Sequence, residues 1–285
     1  MRLSNLKERR SNSFPQTSGR RNSRRWLSII TGLLALAVFL FSVYNLVIYF
    51  IETRHSQATV DSLVDVAIQM ASGIEASITP SLSVESDLME SPPLSVDFNM
   101  LWEENKDIVA WIYCPDTPIH YPIVQSEDNS YYLRRLTDGT WNTAGTLFLD
   151  YRCNSAFTDF TSVVYGHNMN NDTMFGTLPE YRSQEYYEEH PVMYLLTPKA
   201  SYRVDLFAGY VTSIDSEVYR LEYTEEEKMS FLERSKALSD FSSSVETSPA
   251  DSLLVLSTCS YEYENARYVL IGRLCEIASS EEKAQ

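Results

Sequence analysis

The chain has 285 residues, of which 44% are hydrophobic and 12% aromatic, with only 9 glycines and 11 prolines. This composition excludes low-complexity and fibrous structure and predicts one substantial globular domain with appended segments. The formal net charge of −16 would repel a polynucleotide, so we expect no nucleic-acid partner.

The N-terminus differs sharply from the rest of this acidic chain. Residues 1–25 form a basic tail with eight lysines and arginines and a single acid, and residues 26–51 contain no charged residue. Twenty-six uncharged residues exceed the roughly 20 that a helix needs to cross a bilayer core. The basic tail predicts a cytoplasmic N-terminus and an extracellular remainder.

A cleaved signal peptide is the alternative for residues 26–51. The segment is longer than the usual signal core of about 7–15 residues, and no small-x-small cleavage motif follows it. We therefore expect a retained single-pass transmembrane anchor in the cell membrane.

Residues 52–96 are predicted to be an extracellular stalk and linker. Apolar residues recur with helical spacing from His55 to about Ser77, which indicates a stalk or a helix packed on the domain. Residues 77–97 are rich in serine, proline and acids, as in flexible linkers. The globular domain is expected over residues 97–278, opened by a short helix with Asp97 as its N-cap, and followed by a polar tail at 279–285.

Short strand patterns recur through this domain, with turn residues between them. They cover Ile108–Tyr113, His120–Gln125, Gly145–Leu149, Thr161–Tyr165, Val192–Leu196, Tyr202–Ser213, Ser252–Ser257 and Tyr268–Leu274. Helices are expected only near 173–182 and 224–238, the second opened by a capping box at Thr224. Eight strands with few helices predict a mainly β fold, a closed or nearly closed β-barrel.

The four cysteines are widely spaced, at Cys114, Cys153, Cys259 and Cys275. They form no Cys-x-x-Cys or Cys/His ligand pattern, so we expect neither a metal nor a cofactor. The sequence does not exclude one disulfide, but a reactive free thiol is the more specific hypothesis. Cys275 fits better as a small apolar residue of a terminal strand.

Three residues whose side chains could take part in catalysis lie at the ends of predicted strands. Cys259 ends one apolar run, Arg267 opens the next, and His167 follows a third. A thiolate attacks carbonyls, and a nearby cation lowers the pKa of its thiol. Imidazole can transfer the protons, and a guanidinium, which stays protonated, can stabilise an oxyanion or orient a substrate. The set predicts acyl transfer, although each residue alone also fits a structural role.

The residues Leu256–Cys259, Arg267 and Tyr165–His167 resemble the signature of the sortase family, specifically class B. Further similar segments and a helical insertion before the cysteine strand extend the resemblance over residues 97–275. It implies an eight-stranded barrel and a membrane-anchored cysteine transpeptidase of the Gram-positive surface. Such an enzyme cuts a C-terminal sorting motif of a secreted protein and forms a thioacyl-enzyme. An amine of a peptidoglycan precursor or a pilin then accepts the acyl group.

The resemblance also implies residue roles. Cys259 would be the nucleophile, His167 the acid and base, and Arg267 the anchor of substrate and oxyanion. Four residues would line the substrate groove: Asn129, Leu133, Tyr165 and Ser257. Ser260 follows the cysteine where some members have an acid. Two alternatives remain, a cysteine endopeptidase with water as acceptor and a non-catalytic membrane-tethered binding domain.

Overall fold

The computed structural model describes residues 19–70 and 92–277. The chain divides into two units, Met1–Ile51 and Glu52–Gln285. Helix α1 (Gly19–Ala67) is long and apolar enough from Trp26 onward to cross a membrane. Residues 1–18 of the predicted tail, 71–91 of the predicted linker and the tail at 279–285 lie outside the described residues.

The second unit begins with the last turns of α1, which pack on a β-sheet. Leu63 and Ala67 are buried in a cluster with Trp111 and Leu196. The helix ends at Ala67, earlier than the predicted end near residue 77, and the chain continues into strand β1 (Ile68–Met70), which pairs with β2 (Leu94–Val96). The packed helix, rather than a free stalk, is therefore what these residues form.

Helix α2 (Phe98–Glu104) follows β2 and starts at the predicted N-cap. The Asp97 carboxylate accepts hydrogen bonds from the backbone N–H groups of Asn99 (2.9 Å) and Met100 (3.3 Å). These bonds satisfy donors that the first turn of a helix leaves unpaired.

The predicted eight-stranded barrel is confirmed. Its strands are β3 (Ile108–Tyr113), β4 (His120–Val124), β5 (Leu147–Leu149), β6 (Thr161–Tyr165), β7 (Val192–Leu196), β8 (Ser201–Ser213), β9 (Leu253–Cys259) and β10 (Ala266–Ile277). They close in the order β10-β8-β7-β3-β4-β5-β6-β9. The pairs β4–β5 and β6–β9 are parallel, and the others are antiparallel.

The central strands are buried on both faces, which explains their nearly continuous apolar sequences. In β9, Leu254 and Leu256 point into the barrel cluster, whereas Val255 belongs to an outer cluster covered by helix α4 (Glu225–Leu238). The capping box predicted at Thr224 is present. The helical segment predicted near 173–182 is a short 3-10 helix, Leu178–Arg182, followed by α3 (Gln184–Glu189).

Candidate active site

Strands β9 and β10 bring a thiol and a guanidinium together. Cys259, the last residue of β9, is the direct partner of Arg267, the second residue of β10. Residues opposite each other on antiparallel strands have Cβ atoms about 4.5–5.5 Å apart on one face of the sheet. The turn between them closes with the Ser260 N–H bonded to the Ala266 carbonyl at 3.0 Å. Both side chains are half-buried.

The segment that carries His167 is hydrogen-bonded to β9. Strand β6 runs parallel to β9 and pairs Tyr165 with Ser257. Three hydrogen bonds continue this contact: Gly166 N–H to the Ser257 carbonyl (3.1 Å), the Thr258 hydroxyl to the Gly166 carbonyl (2.9 Å) and the Asn168 amide to the Cys259 carbonyl (2.9 Å). His167 is therefore held next to the end of the cysteine strand.

A backbone carbonyl fixes the tautomer of His167. The Nε2 atom lies 2.8 Å from the Leu133 carbonyl oxygen, and because a carbonyl only accepts, Nε2 must carry the proton. Nδ1 is then the basic nitrogen of the neutral ring. Burial lowers the pKa of His167; the bond to the Leu133 carbonyl partly opposes this, and nearby Arg134 lowers it further. The imidazole is therefore neutral at neutral pH.

These residues surround a groove of about 450 Å³. All seven residues expected at the site from the sequence line it: Asn129, Leu133, Tyr165, His167, Ser257, Cys259 and Arg267. The folding of β5, β6, β9 and β10 into adjacent positions of the barrel accounts for their convergence. The groove contains a nucleophile, a base and a fixed cation, the requirements for acyl transfer.

A buried carboxylate behind the groove was not predicted. Asp150, with none of its surface exposed, accepts two hydrogen bonds from the Arg152 guanidinium (2.9 and 2.8 Å) and one from the Tyr165 hydroxyl (3.0 Å). Burial would by itself raise the pKa of Asp150, but the bonds from Arg152 outweigh it and hold that pKa below its usual value. Arg152 thus lines the groove as a second, anchored cation.

Tyr219 is another wall residue that the sequence did not single out. Its ring stacks on Tyr165 with centroids 6.1 Å apart, and its hydroxyl lies 2.9 Å from the Ser257 hydroxyl. Burial, partly opposed by the Ser257 contact, raises the pKa of Tyr219 to about 12. No local motif marks Tyr219 in the sequence.

The position after the cysteine takes part in a polar network. The Ser260 hydroxyl accepts a hydrogen bond from Arg182 at 3.0 Å. Glu262, two residues further on, bonds to both Ser260 and Arg182. An acid therefore lies close to Cys259 in the chain, paired with an arginine of the 3-10 helix.

All four cysteines are free thiols, and only Cys259 lines the groove among the residues that the structure describes. Burial raises the pKa of Cys114, and it raises that of Cys153 to about 11. Burial and the carboxylate of Asp205, 3.3 Å from its sulfur, raise the pKa of Cys275. These three thiols are poor nucleophiles, because attack requires the thiolate.

Comparisons with known proteins agree on one family. A family model described as the sortase domain matches residues 112–275. Sortase B of Listeria monocytogenes is 32% identical over 245 residues, covering 85% of this chain and 94% of the relative. Sortase B of Staphylococcus aureus is 25% identical over 258 residues, covering 90% and 99%. A sortase B structure from Bacillus anthracis has a TM-score of 0.66 and 26% identity, covering 80% of this chain and 99% of that one.

Proposed function

Because the chain belongs to the sortase family and is a class B cysteine transpeptidase, we propose that Cys259 is its nucleophile, His167 its acid and base, and Arg267 its oxyanion and substrate anchor. One observation carries this assignment. Cys259 and Arg267 are cross-strand partners in a groove that His167 also lines.

The first half of the reaction forms a thioester. The Cys259 thiol gives its proton to Nδ1 of His167, and the sulfur attacks the carbonyl carbon of the scissile peptide bond. The Arg267 guanidinium donates to the oxygen as negative charge develops on it. The carbon–nitrogen bond then breaks, and the leaving amine takes the proton from His167.

The second half transfers the acyl group to an amine. The incoming amine loses a proton to His167 as its nitrogen attacks the thioester carbonyl. The carbon–sulfur bond breaks, a new amide forms, and the Cys259 thiolate recovers the proton. Arg267 stabilises this second oxyanion from the same place, so one set of groups serves both steps.

Four wall residues would hold the sorting motif. Leu133 and Tyr165 supply apolar surface, and Asn129 and Ser257 supply polar contacts. The Asn129 side-chain oxygen accepts the Tyr151 N–H at 3.0 Å, which holds this polar side chain in place at the groove wall. A groove that combines apolar walls with a few placed polar groups is suited to an extended peptide.

The substrate is a secreted protein with a C-terminal sorting motif, and the acceptor is an amine of a peptidoglycan precursor or a pilin. The uncharged segment at residues 26–51 acts as a single-pass anchor with a cytoplasmic N-terminus. Its side chains are exposed throughout, as a lipid-facing helix requires. Residues 97–278 form the catalytic domain outside the cell.

The test is a transfer assay on the full chain. A library of sorting-motif peptides is incubated with and without a short peptide that has a free α-amine, and products are identified by mass spectrometry. We expect a ligated product that Cys259→Ala abolishes and Cys275→Ala retains. Hydrolysis with no ligated product at any acceptor concentration would identify an endopeptidase instead.

A further inference from the structure

Chain connectivity fixes where the domain leaves the membrane, if the proposed anchor is correct. Glu52 is the first charged residue after the 26 uncharged residues. As a helix, those residues rise about 39 Å, longer than the hydrocarbon core of about 30 Å and close to the full bilayer thickness of about 40–45 Å. Glu52 therefore stands at the headgroup layer.

One loop of the barrel domain is attached to Glu52. We name it the 132–146 loop; it connects the groove wall at Leu133 to Thr146. The Asn142 amide donates to the Glu52 carbonyl at 2.8 Å, and the Thr143 hydroxyl donates to the Glu52 carboxylate at 2.6 Å. Asn142 is 1% exposed, and both hydrogen bonds to Glu52 are partly buried.

A second contact fixes the tip of the 132–146 loop one helical turn further along α1. Asp138 lies 3.6 Å from the His55 ring. Three residues of helix rise about 4.5 Å, so the tip lies only a few ångströms beyond Glu52. Two parts of the loop therefore lie close to the residue that follows the proposed anchor.

Trp141 is the most exposed large hydrophobic residue of this loop. It is 56% exposed, although its neighbour Asn142 is buried against the helix. Tryptophan is enriched at membrane interfaces because its ring is apolar and its N–H is polar. Arg134 is exposed in the same loop, and its guanidinium suits a phosphate headgroup.

We propose that the 132–146 loop is a membrane-contact surface and that Trp141 inserts into the headgroup layer of the bilayer that holds the anchor. This rests on the proposed anchor at residues 26–51. The contact has a consequence for the groove, because the base of the loop supplies the Leu133 carbonyl that orients His167. Lipid contact would hold that groove wall against the membrane surface.

Bromine quenching of tryptophan fluorescence tests the proposal on the full chain reconstituted in vesicles. The lipids carry bromine on the acyl chains close to the headgroup. Trp26→Phe removes the indole of the anchor. Of the remaining indoles, Trp111 is fully buried and the Trp102 N–H bonds to the Ile108 carbonyl at 2.8 Å. We expect strong quenching in Trp26→Phe and almost none when Trp141→Phe is added.

A relocated indole is the matched control. Leu238→Trp is made on the Trp26→Phe, Trp141→Phe background, because Leu238 is 53% exposed on α4. This helix packs against β8, across the barrel from β5, the strand that follows the 132–146 loop. It should stay unquenched. Quenching equal to that of Trp141 would mean that the domain has no preferred contact with the membrane through this loop, and the proposal would be wrong.

Flotation of the vesicles after an alkaline wash tests the proposed anchor separately from the membrane-contact surface. A chain that does not float would overturn the anchor and this inference with it. A chain that floats while Trp141 stays unquenched would overturn only the membrane-contact surface. Quenching of Trp141 that rises with protein-to-lipid ratio in unbrominated vesicles would point to a second copy as partner and would also overturn it.

Discussion

At the scale of single residues, the two arginines of β10 have different environments. Arg267 lies opposite Cys259, and among residues 19–70 and 92–277 its side chain makes one hydrogen bond, from Nη1 to the Ala266 carbonyl at 2.9 Å. Arg273, six positions along, donates to the Asp205 carboxylate at 3.0 Å and to the Glu246 carbonyl at 3.0 Å. One arginine thus retains donors toward the groove, whereas the other is used within the fold.

Replacing Arg267 by lysine should lower kcat/KM on the order of 10²-fold. An ammonium keeps the charge but lacks the planar fork of donors that can reach an oxyanion and a second oxygen together. The measurement is peptide cleavage by the full chain. Arg273→Lys on the same strand is the matched control and should change the rate little. Near-normal activity in Arg267→Lys would show that charge alone suffices.

The neutral His167 predicts the form of the pH profile. Burial lowers the pKa of its imidazole below the usual 6.5, and protonation removes the base that accepts the Cys259 proton. Activity should therefore be bell-shaped, with an acid limb below pH 6.5 and an alkaline limb at the pH where no proton remains to pass through His167 to the leaving amine. A profile of kcat/KM that is flat from about pH 5 to 10 would remove His167 from proton transfer.

At the scale of secondary-structure elements, α4 is stabilised at its start by a reciprocal cap. The Thr224 hydroxyl accepts the Glu227 N–H, and the Glu227 carboxylate accepts the Thr224 N–H. Thr224→Ala should lower the free energy of unfolding by about 0.5–2 kcal/mol. Thr224→Ser keeps the hydroxyl and should remain near the wild type in denaturant unfolding. Equal losses of unfolding free energy in both variants would mean that the threonine methyl group, and not the cap, stabilises this helix.

The last turns of α1 give a second test at this scale. Leu63 is 3% exposed and Val66 is 49% exposed on the same helix. Leu63→Ala should cost about 2–5 kcal/mol of unfolding free energy, whereas Val66→Ala should change it by less than about 0.5 kcal/mol. Similar small effects in both variants would mean that these turns form a stalk independent of the barrel.

Seven of the eight barrel strands have five or more residues, and an apolar run of that length between turn clusters is typical of a buried strand. The three residues of β5 were predicted as the end of the longer segment 145–149. The sequence pattern did not reveal β1 and β2. Each has three residues, too short for a period-2 pattern, and β2 lies in a segment whose serines and prolines indicate a linker. The end of α1 was placed too late, since its apolar spacing continues past Ala67 into β1.

At the scale of the whole molecule, the residue pattern indicated the site where reactive side chains lie at or next to strand ends, and the family resemblance added four residues of the groove. Cys259, His167 and Arg267 lie in such positions, and the barrel closure brings their strands together. Asp150 bonds to Tyr165, which is 15 residues away in the sequence. Tyr219 bonds to Ser257, which is 38 residues away. Such contacts follow from the closed barrel and leave no local pattern in the sequence.

The most direct measurement of the central claim is the site of acylation. The full chain is incubated with a sorting-motif peptide without an amine acceptor, quenched in acid and mapped by peptide mass spectrometry. We predict a thioester on Cys259 that is absent in Cys259→Ala and that a free amine discharges. Acylation of Cys114, Cys153 or Cys275 instead, or cleavage of the peptide by Cys259→Ala at the normal rate, would contradict this account.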